Sequence, residues 1–97
     1  MFFVDSLPKS QELIHPLLKV LASKSGSLTN DEIGSMVAET LGLSLAQISQ
    51  IHSGSRTELS YRLGWAKTNA KSKGWIQSSK RENWEITPAG LKHLNDV

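Results

Sequence analysis

Cysteine is absent from this 97-residue chain, which excludes disulfides, thiolate zinc sites and cysteine nucleophiles together. Long apolar runs are missing as well. The longest, Leu13 to Ala22, is interrupted by His15, Pro16 and Lys19, so no membrane span is expected. The opening Met-Phe-Phe-Val is too short for a signal h-region and lacks a basic n-region, which points to a cytoplasmic protein. Histidine is sparse: His15, His52 and His93 stand far apart, with no H-x-x-E companion. No glycine-rich phosphate loop occurs, and the acids Asp31, Glu32 and Glu39 crowd one early segment. No catalytic residue, metal site or cofactor is therefore expected in the chain. The three histidines read as surface or half-buried side chains, although His52, just before a long helix, could also bond a phosphate.

One further scarcity is local. From Arg56 to Arg81 the only acid is Glu58, against seven basic residues, a net +6; the remainder carries −4. A basic block in an otherwise acidic domain is the footprint of a phosphate-binding face, or simply of a solvated surface. Charge alone does not separate the two.

What is present is strong helical patterning over a chain long enough for one core. Hydrophobic content is 38% and charged content 21%, which rules out compositional disorder. Leu13, Ile14, Leu17, Leu18 and Leu21 make one apolar helical stripe, in which Pro16 predicts a kink or a late start. Three sequences fit a capping box: Thr29-Asn-Asp-Glu32, Ser44-Leu-Ala-Gln47 and Ser55-Arg-Thr-Glu58. They predict a helix with Ile33, Val37 and Leu41 inside and Gly42 as its stop, then a short helix through Leu45, Ile48 and Ile51. A long helix follows over 56–73, with Gly74 just past its end. After Gly74 the period changes. WIQSS and NWEIT, joined by Lys80-Arg81-Glu82-Asn83, read as a β-hairpin, and Thr87-Pro88 opens a last helix through Leu91 and Leu94. The expectation is a single domain over 1–97, mainly α with a small β-hairpin: a winged helix-turn-helix.

On a wheel of ~100° per residue the long helix sorts into faces. Leu59, Leu63, Ala66 and Ala70 form the buried arc. Opposite lie Thr57, Tyr61, Gly64, Thr68 and Ser72, flanked by Ser60 and Lys71, with Arg56 and Lys67 nearer the core edge. Small, hydroxyl-bearing and basic residues suit a helix entering the major groove. Gly64 costs roughly 1 kcal/mol against alanine mid-helix, so close approach of another backbone, protein or DNA, would account for it. Trp65 falls to the side and reads as a wall packed on the first or last helix or, alternatively, as a ring for base stacking or a methyl-base cage. Arg62 shares that flank, as a buttress or a phosphate contact. Trp84 and Ile86 point to the core, and Lys80 and Arg81 stand at the wing tip. The candidate DNA-binding set is Ser55, Arg56, Thr57, Ser60, Tyr61, Arg62, Lys67, Lys71, Lys80 and Arg81.

YRLGWA at 61–66, KGW at 73–75 and NWEITPAG at 83–90, with HPLLKVLAS behind them, resemble the N-terminal domain of Mrr-type restriction endonucleases. The likeness runs from Pro8 to Leu94. Arg62, Gly64, Trp65 and Ala66 match that family's helix motif, and Thr87, Pro88, Ala89 and Gly90 its closing motif. Glu82 stands where relatives often carry glycine, which would move a positive φ onto Asn83. The resemblance implies a winged-helix domain targeting double-stranded DNA, often methylated. It also implies a fused PD-(D/E)xK-type nuclease that supplies the metal-dependent cleavage, the chain stopping where that domain would begin. Two other readings remain open: a protein-interaction or homodimerising winged helix, and a free-standing transcription regulator.

Overall fold

The computed structural model describes residues 7–24, 26–54 and 56–96, and within these all side chains except those of residues 51–53, 56 and 79. In chain order the elements are α1 Ser10–Ala22, β1 Leu28–Thr29, α2 Asn30–Leu41, α3 Leu45–Ser49, β2 Ile51–Ser53, β3 Arg56–Thr57, α4 Glu58–Ser72, β4 Ile76–Lys80, β5 Asn83–Ile86 and α5 Pro88–Asp96. This is the expected winged helix-turn-helix, mainly α with a small antiparallel sheet.

The apolar stripes meet as their spacing requires. Leu13, Leu17, Leu18 and Leu21 of α1 are fully buried against Ile33 and Val37 of α2 and Leu63, Ala66 and Ala70 of α4. Small residues on α4 let α1 lie close to it. Pro16 does not delay α1, which begins at Ser10 and continues past it to Ala22. Its missing amide costs about 3 kcal/mol, which the neighbouring leucines offset at roughly 2 kcal/mol each.

Two of the three capping boxes form. The Thr29 and Ser44 hydroxyls accept from the amides of Glu32 and Gln47 at 3.2 Å, and those side chains accept in return at 2.8 Å. Donation by the Thr29 backbone amide, reinforced by its hydroxyl, holds the Glu32 carboxyl below its usual range. The third box is a correction. Thr57, not Ser55, caps α4, accepting from the Ser60 amide at 3.1 Å. The helix starts at Glu58 rather than Arg56 because Arg56 and Thr57 pair with β2 instead. That small hairpin also ends α3 at Ser49, short of Ile51.

The wing is three-stranded, in the order β1-β5-β4. Leu28 pairs with Trp84 and Ile76 with Ile86, which covers one edge of β5 with a strand too short to leave a periodic signal. The tip tightens through a register shift between Ser78 and Lys80. The left-handed residue there is Glu82 itself, at φ 62°, not Asn83. The Asn83 side-chain amide donates to the Arg81 carbonyl at 3.0 Å and closes the turn around it.

The closing motif is a clasp. The Trp75 amide donates to the Ala70 carbonyl across Gly74, whose φ of 78° completes the helix stop. The Thr87 hydroxyl donates to the Gly74 carbonyl at 2.5 Å and accepts from the Gly90 amide at 3.1 Å, and the Thr87 amide donates to the Trp75 carbonyl at 2.9 Å. Gly90 lies so close that an added Cβ would fall 2.1 Å from the Trp75 carbonyl oxygen. His93 of α5 stacks on Trp75 at 3.8 Å. Among the described residues no helix is long and apolar enough to cross a membrane.

Candidate nucleic-acid interface

Three flanks of α4 take three different neighbours. Toward the chain's start, Arg62 donates from Nε to Glu58 at 2.7 Å and from one terminal nitrogen to the carbonyls of Leu7 at 2.8 Å and Pro8 at 3.3 Å. Of the two roles open to Arg62, this geometry is the buttress. The fork that a phosphate would need is tying the segment before α1 to α4.

Toward the wing, Lys67 donates to Asn30 Oδ1 at 2.6 Å, and the Trp84 indole donates to the same oxygen at 2.9 Å. The ammonium groups of Lys67 and Lys71 both lie 5.9 Å from the Trp84 ring. Asn30 therefore pins α2, α4 and β5 at one point, and two cations flank the aromatic ring there, each contact worth about 0.5–1 kcal/mol where solvent reaches it. Lys71 is exposed and Lys67 half-buried. Lys80 and Arg81 are exposed at the wing tip, beside Glu82 and Glu85; Glu85 accepts from Gln77 across the strands at 2.8 Å.

The outer face lies between these flanks. Tyr61, Gly64, Trp65 and Thr68 bound a shallow recess. The Thr68 hydroxyl donates to the Gly64 carbonyl at 3.0 Å. Trp65 is 51% exposed, so the expected side wall is a correction: half of this residue lies open to solvent on the outer face. The wheel explains it. At ~100° per residue Trp65 sits about 130° from the centre of the buried arc and only ~40° from Tyr61. Its bulk suggested core; its angle did not.

Thr57 and Ser60 face elsewhere, onto a groove of about 640 Å³ between α2 and α4 whose floor includes Ala38, Leu59 and Leu63. Gly34 and Gly64 stand on its two banks. Ser55 lies outside the described residues, as does the side chain of Arg56. The structure thus brings Lys67 and Lys71 together with the wing root. Tyr61 stays on the outer face, and Arg62 turns inward. The residue that sequence reasoning passed over is Asn30, read only as part of a cap. Among the described residues no group of three His, Asp or Glu side chains could hold a metal ion.

The Mrr N-terminal domain family matches residues 11–96. The type IV methyl-directed restriction enzyme EcoKMrr of Escherichia coli (strain K12) is 31% identical over 86 residues, covering 89% of this chain and 28% of that enzyme. The chain thus spans less than a third of its relative's length. No solved structure matches it. The segment that matches contains Arg62 and Glu58, the pinned wing root and the Thr87–Gly90 clasp, and the chain belongs to the Mrr N-terminal domain family.

Proposed function

We propose that this chain is the DNA-targeting domain of a restriction system, binding duplex DNA through the outer face of α4 and the wing β4–β5. One observation carries the reading: Lys67 and Lys71 flank Trp84 at the root of the wing whose exposed tip bears Lys80 and Arg81. Helix and wing thereby present one cationic ridge, with small and hydroxyl-bearing residues on the adjoining helix face. The domain supplies the address. A fused PD-(D/E)xK-type nuclease supplies the metal-dependent cut, and likeness to a methyl-directed enzyme extends the reading to methylated duplexes as targets here. Such an assembly acts in the cytoplasm, where the DNA is.

The test is duplex affinity across about 50–200 mM salt, for the wild type and for the combined Lys71→Ala, Lys80→Ala, Arg81→Ala variant. Loss of three phosphate contacts should lower the slope of log affinity against log salt by roughly 2–3. Wild-type binding that ignores salt defeats the proposal. A protein-interaction role has its own support in Leu45, 79% exposed beside Ile48 on α3. A stable homodimer that binds no DNA would favour it.

A further inference from the structure

A helix and a wing can grip one stretch of DNA backbone together only when the angle between them is fixed, because phosphate contacts set register and orientation. The wing of this protein is a slight support for its own tip. Its strands β4 and β5 are five and four residues long. Their register shifts between Ser78 and Lys80, where the tip cations begin. Strand pairing holds the wing within its sheet, and the Thr87–Gly90 clasp holds its base to the end of α4. Neither fixes the tip half against the body of that helix.

Asn30 does. Its Oδ1 accepts from Lys67 of α4 at 2.6 Å and from the Trp84 indole of β5 at 2.9 Å. An ammonium and an indole N–H can only donate, so chemistry dictates that the oxygen faces them, and both its lone pairs are used. Asn30 is itself held. It is the first residue of α2, and Thr29 before it both caps that helix and pairs with Asn83 in the sheet. Trp84 lies two residues past Glu82 at the tip, and its ring has the Lys67 and Lys71 ammonium groups 5.9 Å away. One uncharged side chain thus fastens a strand of the wing to the middle of α4, between the helix cation Lys71 and the tip cations Lys80 and Arg81.

We infer that Asn30 is a positioning residue for duplex binding: sharing its oxygen between α4 and β5, it fixes the wing so that Lys71, Lys80 and Arg81 engage one DNA backbone together. This rests on the DNA-binding reading above and names the residue that makes helix and wing act as one surface. Asn30 acts through Trp84 and touches no phosphate itself.

The experiment measures the salt slope of binding to one unmodified, mixed-sequence duplex, with and without the combined Lys80→Ala and Arg81→Ala change. It does so in four backgrounds: wild type, Asn30→Ala, Asn30→Asp and Trp84→Phe. In the wild type, loss of two tip contacts should lower the slope of log affinity against log salt by about 2. Asn30→Ala removes no charge, yet there the same tip change should lower the slope by less than about 1, because a loosened wing spends less time on the backbone. Asn30→Asp keeps an oxygen for both donors and should restore the drop to about 2, its own charge being present with and without the tip change. Trp84→Phe keeps a ring beside the two lysines but deletes the indole donor. It should behave as Asn30→Ala does, and it carries the test if Asn30→Ala fails to fold. A drop of about 2 in all four backgrounds makes Asn30 a residue of the fold alone, which overturns the inference and leaves the DNA reading intact. A drop that stays below about 1 in Asn30→Asp overturns it too, by taking the role away from the shared oxygen. Wild-type binding that ignores salt, or no duplex binding at all, overturns both.

Discussion

Trp75 and Trp84 at the wing root, and Trp65 on the outer face of α4, are one residue type under two regimes. The Trp75 ring stacks on His93 and lies 5.7 Å from the Lys73 ammonium. The Trp84 indole bonds Asn30 and is flanked by Lys67 and Lys71. These two rings join separate elements and hold the wing to the helices. Trp65, ten residues before Trp75, joins nothing comparable and leaves 51% of its surface to water. An aromatic ring whose neighbours all come from its own chain serves the fold. One on an exposed helix face, like Trp65, adds no such join between elements.

The comparison breaks most readily at the wing root. Gly90→Ala drives a methyl into the Trp75 carbonyl oxygen and against Ile86. It should cost about 3 kcal/mol and lower Tm by roughly 15 °C. A calorimetric loss under about 1 kcal/mol would mean that the clasp yields and is not rigid. Next comes the buttress. Arg62→Ala removes bonds to Glu58, Leu7 and Pro8 and should cost about 1.5 kcal/mol in urea unfolding. It should leave the salt slope of duplex binding unchanged. A slope lower by about one unit would instead make Arg62 a phosphate contact.

The wing tip offers a gain. Glu82 sits at φ 62°, where an L side chain is strained. Glu82→Gly should stabilise by about 0.5–1 kcal/mol and, by removing an acid beside Lys80 and Arg81, tighten duplex binding; weaker binding would make the carboxylate a contact in its own right. The smallest effect on the fold belongs to Trp65→Ala, within about 0.5 kcal/mol by urea unfolding. A loss above about 2 kcal/mol would show the indole to be part of the core and erase the distinction between the two regions.

Much of the fold was legible because its signals are local. Leucine spacing in α1, the Thr29 and Ser44 boxes, Gly42, Gly74 and Thr87-Pro88 each act within a turn or two of chain, and each falls where the pattern puts it. Ser55-Arg-Thr-Glu58 failed for the same reason in reverse. A valid local motif lost to pairing between β2 and β3, which sequence spacing does not register. The β1 strand was invisible at two residues. In the candidate site, wheel angles placed Tyr61, Gly64 and Thr68 on the outer face, but Thr57, put there too, lines the groove between α2 and α4, and the error over Trp65 came from letting residue size outweigh angle.

By itself, then, the sequence determined the elements, the buried arc of α4, the basic excess of segment 56–81 and the motifs of the Mrr N-terminal domain. These follow from periodicity, capping and composition, which act along the chain. Only tertiary structure decided which cations are engaged. Arg62 and Lys67 look alike in sequence, yet one is closed off by carbonyls 54 and 55 residues away and the other is pinned by Asn30, 37 residues away. Whether a charge serves the fold or a partner depends on which acceptors the folded chain brings within hydrogen-bond reach, and those contacts are non-local.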